Sequence, residues 1–165
     1  AAALRRVAED AGEIEEVRAR AVEAIGPHDA DWVRQAVTQA YESGSHRLKV
    51  SAVHAMGRSA EPRWLPLLKR ELTSDDAELR YEAAVASGSL ADEAAVPVLV
   101  PLTADPDDEV RAAAISALGE IGGEAARRAL DDLTDRPSEA ASDAAAAALA
   151  EIEADEDPLG FRLSS

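Results

Sequence analysis

The chain has 165 residues, no cysteine and a net charge of −16, with 33 acidic against 17 basic residues. The lack of cysteine excludes disulfides, thiolate zinc sites and a cysteine nucleophile, and the negative charge argues against binding to the phosphates of DNA or RNA. No apolar run approaches the ~18 residues of a membrane span, so the composition favours one cytoplasmic domain with neither a membrane nor a nucleic-acid partner.

One short pattern recurs along the chain with a period of 31 residues. Its best copy reads Val-Arg-Ala-Ala-Ala-Ile-Ser-Ala-Leu-Gly and occupies residues 110–119. Similar copies begin at Val17, Leu48 and Leu79, and a degenerate copy begins at Ala141. A constant period of this length is typical of a solenoid, in which each repeat buries its apolar face against its neighbours. The sequence therefore predicts an all-α fold, an α-α superhelix of about five two-helix repeats.

The same periodicity predicts the helices in chain order. Residues 1–11 resemble the second helix of a preceding repeat. First helices are expected near 14–25, 45–56, 76–87, 107–118 and 138–152, and second helices near 29–42, 61–73, 92–104 and 123–134. These elements define repeats near 14–44, 45–75, 76–106 and 107–137, a capping helix at 138–152 and an acidic tail at 153–165. Together, residues 1–152 are expected to form a single solenoid.

Local signals set the expected helix ends. Asp107 is placed to cap the first helix of the fourth repeat, and Gly119 with Gly122-Gly123 is expected to end it. Two departures from the pattern fall in the third repeat. Ser87, followed by Gly88, stands where other repeats carry Ile25 and Leu118, and it is expected to thin the core there. Pro101 is expected to kink or split the second helix. The sequence therefore predicts that the third repeat is the most irregular.

Four basic residues lie 31 residues apart and are expected to stack as a ladder. They are Arg18, Lys49, Arg80 and Arg111. Asp76 and Asp107 stand four residues before the last two of these cations. The spacing predicts a structural row of charge pairs that join the cap turns to the helices, and the alternative is that the row binds a ligand.

The predicted second helices carry both tryptophans and several cations. The residues concerned are Trp32, Arg34, Arg63, Trp64, Lys69, Arg70, Arg127 and Arg128. Trp and Arg are enriched in binding hot spots, so these residues are candidates for contact with a partner. The alternative is that Trp64 covers the core beside Leu65 and Leu68, with the arginines as ordinary solvated residues.

The sequence holds no motif of a known catalytic or metal site. His28, His46 and His54 are the histidines of the chain, and the last two lie about two helical turns apart, too far to share an ion. No His-Glu-x-x-His motif, phosphate loop or nucleophile elbow occurs. The acidic pairs fall at predicted helix ends, where carboxylates act as caps. We therefore expect no catalytic residue, no cofactor and no metal site.

The repeat pattern resembles a known family. A unit of x-Val-Arg-x-x-Ala-x-x-Ala-Leu-Gly, followed by Val-Pro-x-Leu, is similar to the HEAT-like repeats of the phycobilisome-lyase type. The matching segments are 110–119, 96–99 and 65–68. The resemblance implies the fold, with the second helices lining the concave face. It does not specify a function, because such repeats occur in enzymes, scaffolds and adaptors.

These observations predict a non-catalytic protein-binding scaffold whose second-helix face holds an acidic or carboxylate-rich partner. The runner-up, implied by the resemblance, is a bilin-lyase-like role in handling a chromophore. Few aromatic residues and no cysteine–histidine constellation weigh against that role. The acidity itself has two readings, adaptation to high salt or the bias of a high-GC genome. Neither the identity of the partner nor the oligomeric state follows from the sequence.

Overall fold

The computed structural model describes residues 2–134 and 139–156, and no strand occurs among them. Their ten α-helices are α1 (Ala2–Glu9), α2 (Glu15–Ile25), α3 (Asp31–Glu42), α4 (His46–Ser59), α5 (Leu65–Glu71), α6 (Ala77–Leu90), α7 (Val96–Leu102), α8 (Asp108–Ile121), α9 (Gly123–Thr134) and α10 (Glu139–Glu156). Short 3₁₀ turns, Pro62–Trp64 and Glu93–Ala95, precede α5 and α7. None of the described helices is long and apolar enough to cross a membrane.

The helices form two layers, as expected for an α-α superhelix. The first helices of the repeats are α2, α4, α6, α8 and α10, and each packs on the next. The second helices are α3, α5, α7 and α9, and each packs on the first helix that follows it. α1 packs on α2 and α3. α10 continues through Glu156, so residues 153–156 of the predicted tail are helical, and residues 157–165 lie outside the described part of the chain.

Three first helices begin at equivalent side-chain caps. Ser45, Asp76 and Asp107 have extended backbones, and their side chains accept hydrogen bonds from backbone N–H groups at the start of α4, α6 and α8. The bond from Leu48 N to Ser45 is 3.2 Å long, and the bond from Val110 N to Asp107 is 3.1 Å long. These caps satisfy N–H groups that have no partner within the helix, which fixes the start of each repeat.

The same three helices are followed, at equivalent positions, by residues with a positive φ; Ala60 and Ala91 are left-handed, whereas Gly122 has ψ −154°. The residues that follow them are Ala60 (φ 48°), Ala91 (φ 52°) and Gly122 (φ 64°). Gly122 fulfils the predicted role of a helix end. The prediction for Gly119 is wrong, because Gly119 lies within α8, which continues to Ile121.

Gly119 belongs instead to a row of close contacts between consecutive first helices. A Cβ at Gly57 would lie 2.8 Å from Ala86 Cα, and one at Gly119 would lie 2.9 Å from Ala148 Cβ. Gly26 faces Ala55 and Gly88 faces Ala117 in the same way. Each glycine and each facing alanine recurs every 31 residues. The small residues therefore let the first helices approach more closely than a side chain at the glycine positions would allow.

The third repeat is as regular as its neighbours, so the prediction of irregularity there is wrong. α6 and α7 have the same lengths as α4 and α5 and begin 31 residues after them. Pro101 lies in the last turn of α7, which ends one residue later, just as α5 ends one residue after Arg70. A proline at a helix end blocks few hydrogen bonds, so no kink is needed. The core is thinner at one point of this repeat, as expected, because the small buried side chain of Ser87 takes the place of Leu118 and Ile25, while Gly88 packs closely against Ala117.

The core lies between the two layers. On the second-helix side it contains a row at a spacing of 31 residues, Val37, Leu68, Leu99 and Leu130, all buried. On the first-helix side the equivalent row is Ile25, Met56, Ser87 and Leu118, also buried. The Ser87 hydroxyl donates to the carbonyl of Ala83 at 2.7 Å, so its burial leaves no unsatisfied donor. One continuous apolar layer therefore joins the repeats.

Candidate functional site

The two helix layers differ in spacing. Consecutive first helices touch through glycine–alanine contacts, whereas the second helices pack mainly on first helices and contact one another far less. A stack of two-layer units bends toward its more closely spaced layer. The packing therefore favours the first helices as the lining of the concave side, the reverse of what the family resemblance implied.

The two tryptophans occupy different environments. Trp64 is buried at 5% exposure, and its Nε1–H donates to Ser59 Oγ at 2.9 Å. Trp64 is therefore not accessible to a partner. Its burial fits the alternative interpretation, in which Trp64 covers the core. Trp32 is half-buried and packs on the edge of the core. The guanidinium of Arg5 lies 5.5 Å from the centre of its ring, so one face of Trp32 is already occupied.

Arg34 is bound to carboxylates of its own chain. It contacts Glu61 at 2.8 Å, Asp31 at 3.0 Å and Asp29 at 2.5 Å. The hydrogen bond to Glu61 is the main cause of the raised pKa of Arg34. Arg63 also contacts Glu61, at 3.4 Å. Because Arg34 already has three carboxylate partners, it is poorly suited to bind a carboxylate of another molecule.

The remaining predicted contact cations are spread along the second helices and do not converge. Arg70 is exposed and lies 3.9 Å from Glu71, its nearest carboxylate contact. Arg128 is exposed and pairs with Glu124 of the same helix at 3.3 Å. Lys69 and Arg127 are half-buried.

A polar groove of about 580 Å³ runs along α3, and we call it the α3 groove. Its lining residues are Arg18, Arg34, Gln35, Thr38, Gln39, Glu42, Ser43 and Arg63. Sequence reasoning found three of these, the arginines. The polar residues of α3 went unnoticed, although Gln35, Gln39 and Glu42 recur at helical spacing on one face, a signal that the sequence does contain.

The second ladder cation, Lys49, lies in a buried network. Its Nζ contacts Glu71 Oε2 at 2.9 Å and lies 5.1 Å from the centre of the Tyr41 ring. The Tyr41 hydroxyl donates to the same carboxylate at 2.5 Å. The pKa of Tyr41 is raised to about 12, mainly by burial and secondly by the hydrogen bond to negatively charged Glu71. Lys49 thus neutralises a carboxylate that is only 2% exposed.

The third ladder cation, Arg80, takes Asp105 as its carboxylate partner. Its Nε and Nη2 donate to the two oxygens of Asp105 at 2.8 and 2.9 Å, and its Nη1 donates to the carbonyls of Ser74 and Asp75. This bidentate bond is the main reason that the pKa of Asp105 is lowered. The expected partner, Asp76, caps α6 instead.

The fourth ladder cation, Arg111, binds the backbone carbonyls of Asp105 and Pro106 and forms an ion pair with Asp108. Asp107, expected to pair with it, caps α8. The first ladder cation, Arg18, differs from the other three. Its Nε is buried and has no hydrogen-bond partner within residues 2–134 and 139–156. The ladder cations thus differ sharply in how far their own chain satisfies them.

Two histidines lie beside carboxylates of the next repeat. His46 Nε2 lies 3.1 Å from Asp76 and 3.8 Å from Glu78, and the ligand atoms of the three residues lie within 4.8 Å of one another. Sequence reasoning compared His46 only with His54, although the repeat period brings residue 76 beside residue 45. His54 Nδ1 lies 3.2 Å from Glu82, whose hydrogen bond is the main cause of the raised pKa of His54.

Several solved structures share this architecture. A designed armadillo repeat protein in complex with the peptide (KR)4 has a TM-score of 0.66 and 21% identity, and the match covers 90% of this chain and 80% of that one. Human deoxyhypusine hydroxylase has a TM-score of 0.62 and 22% identity, with 91% and 72% covered. Computationally designed armadillo repeat proteins for modular peptide recognition have a TM-score of 0.60 and 20% identity, and the match covers 90% of this chain and 80% of that one. These similarities show the fold.

The sequence comparisons identify the repeats themselves. None of the curated proteins compared with the chain is significantly similar to it. The family profile described as HEAT repeats matches residues 2–86 and again residues 65–150. Since these matches span most of its residues, the chain belongs to the HEAT repeat family.

Proposed function

We propose that this chain is a non-catalytic scaffold that binds an extended segment of a partner protein along the α3 groove, in the layer of second helices. The single observation that carries the proposal is the groove itself. It is open, polar and long enough to run from Arg34, near the start of α3, to Ser43 at its end.

The spacing of polar side chains on α3 suits an extended backbone. Gln35 and Gln39 are exposed and one helical turn apart, which separates them by about 6 Å along the helix. Alternate residues of an extended chain lie about 6.6–6.8 Å apart. Each glutamine amide offers both a donor and an acceptor. The pair therefore matches alternate peptide groups of a bound segment.

The charges favour a partner segment that carries carboxylates. Arg18 and Arg63 line the groove within a chain of net charge −16, and Glu42 is the one acidic residue among the described lining residues. Structural neighbours described as bound to a peptide, or as designed for modular peptide recognition, support peptide binding as one use of this fold.

The chromophore-handling alternative has less support. No described lining residue of the α3 groove is aromatic, whereas a tetrapyrrole needs a broad apolar contact surface. The phycobilisome-lyase subtype rests on the Val-Arg-x-x-Ala-x-x-Ala-Leu-Gly unit followed by Val-Pro-x-Leu, and it stays a prediction. One structural neighbour, human deoxyhypusine hydroxylase, is an enzyme, so the fold by itself is compatible with catalysis. The cytoplasmic location likewise stays a prediction from composition.

Peptide selection tests the proposal. Random 12-residue peptides displayed on phage are selected against the full chain, and their affinities are measured by fluorescence polarisation. We expect the double variant Gln35→Ala/Gln39→Ala to weaken binding about tenfold, since each lost amide leaves peptide groups unpaired. The matched control is Ser116→Ala/Glu120→Ala, two exposed residues of α8, which should change affinity less than about twofold. Selection of no peptide, or a loss confined to the α8 variant, would contradict the proposal.

A further inference from the structure

We propose that Arg18 anchors a carboxylate from an Asp or Glu side chain of the bound segment. This inference rests on the proposed function and specifies the chemistry of the α3 groove at one end. Its basis is a comparison of the four ladder cations, of which the three others are satisfied by their own chain.

The satisfied cations show what an Arg or Lys at this position requires. Lys49 binds Glu71, which follows it by 22 residues, and Arg80 binds Asp105, which follows it by 25. Both carboxylates are nearly fully buried, at 2% and 4% side-chain exposure. Arg111 is satisfied by the carbonyls of Asp105 and Pro106 and by Asp108. Each of these three repeats thus places oxygen acceptors around its ladder cation.

The first repeat lacks these acceptors at the equivalent positions. The residue 22 positions after Arg18 is Ala40, which carries no oxygen in its side chain. The residue 25 positions after Arg18 is Ser43, and its hydroxyl donates to the carbonyl of Ala40 at 2.8 Å. Arg18 therefore has small side chains at both of the positions that supply a carboxylate to Lys49 or to Arg80.

The surroundings of Arg18 favour an external carboxylate. Its Nε is buried without a hydrogen-bond partner among the described residues, and a buried unpaired donor is unfavourable. Arg18 is also one of the residues that line the α3 groove, in which the segment would bind. Arg34, another cation of the groove, is already bound to three carboxylates. A planar guanidinium binds a carboxylate through two parallel hydrogen bonds, the geometry that Arg80 displays.

A stability comparison distinguishes an anchor from a structural residue. We expect Arg18→Met to leave the Tm of the free chain within about 2 °C, because no internal hydrogen bond of its Nε is lost. The matched control, Arg80→Met, should lower the Tm by about 5 °C or more, because it leaves Asp105 buried without its partner. An equal loss of Tm in both variants would overturn the inference, since Arg18 would then be structural.

A cycle of peptide and protein variants tests the carboxylate directly. The probe is a selected peptide from the library described above, made with its Asp or Glu and with the corresponding amide. We expect the amide peptide to bind the native chain about tenfold more weakly, as for loss of a charge-assisted hydrogen bond. With Arg18→Gln the two peptides should bind within about twofold of each other.

The outcomes separate this inference from the proposed function. If selected peptides depend on Gln35 and Gln39 but have no preferred acidic position, only the Arg18 inference is overturned. The same holds if the acid-to-amide change has equal effects on the native chain and on Arg18→Gln. If no peptide depends on the two glutamines, the proposed function fails, and the Arg18 inference fails with it.

Discussion

Ala60 and Ala91 have a strained backbone conformation that the regular repeat requires. Both follow a first helix in the left-handed region, with φ of 48° and 52°, whereas the third equivalent residue is Gly122, with φ 64° and ψ −154°. An L-residue with a Cβ is strained there by about 1 kcal/mol, whereas glycine is not. The repeat geometry imposes the conformation, since the cap must turn the chain toward the second helix at the same point in each unit.

We expect Ala60→Gly and Ala91→Gly each to raise the free energy of unfolding by about 0.5 kcal/mol. Relief of the left-handed strain exceeds the entropy that glycine adds to the unfolded chain. The control is Ala112→Gly on the exposed side of α8, where the same change should lower stability by about 1 kcal/mol. Urea denaturation measures all three, and a loss of stability at Ala60 or Ala91 would contradict the argument.

Between elements, the strongest polar link joins α6 to the loop that follows α7. Arg80 and Asp105 are buried at 12% and 4% side-chain exposure and form a bidentate pair. Arg80 also holds the carbonyls of Ser74 and Asp75, so one side chain fixes two loops. We expect Arg80→Ala to lower the free energy of unfolding by about 3 kcal/mol, because it leaves a buried carboxylate unpaired. Arg111→Ala, which leaves only exposed Asp108 and two backbone carbonyls, should cost less.

This pair also predicts a dependence on pH. Arg80 lowers the pKa of Asp105 in the folded chain. The stabilisation is therefore complete above the ordinary Asp pKa of about 3.9 and is lost as the pH falls through the lower, folded value. Asp105→Asn should be less stable than the native chain at neutral pH, and the difference should narrow below about pH 4. A difference that is constant with pH, measured by urea denaturation, would contradict the assignment.

Sequence reasoning predicted the elements better than their contacts. The 31-residue period located the helices to within a few residues, because each repeat has the same local signals. It misjudged Gly119 because a glycine that ends a helix and one that permits close packing look the same in sequence. It missed the bond between Arg80 and Asp105 because that partner lies 25 residues away, while Asp76 stood at helical spacing. The burial of Trp64 depends on packing that composition does not specify.

For the whole molecule, the dominant electrostatic feature is self-repulsion. A net charge of −16 is held closer together in the folded solenoid than in the unfolded chain, and this destabilises the fold. Salt screens the repulsion, because the Debye length falls from about 10 Å at 0.1 M to about 3 Å at 1 M. The chain should therefore become more stable as the ionic strength rises.

We expect the Tm to rise steadily when KCl is increased from about 0.05 M to about 2 M. The last described helix, α10, should unfold first at low salt, since among the described first helices it packs on α8 alone, and it buries the small side chains Ala145 and Ala148. Circular dichroism melts follow the Tm, and hydrogen exchange reports the order of opening. A Tm that is flat or falls over this range would leave genome bias or partner recognition to explain the acidity.

The row of glycine–alanine contacts has a consequence for how such a chain changes in length. Ala55 and Ala86 occupy the same place in successive units, so excision of residues 46–76 would set Gly26 against Ala86 in the way that it now faces Ala55. The new contact between first helices would have the same glycine–alanine geometry as the present ones. Unequal recombination within the gene can therefore add or remove whole units, and selection can match the number of units to the length of the segment that has to be held.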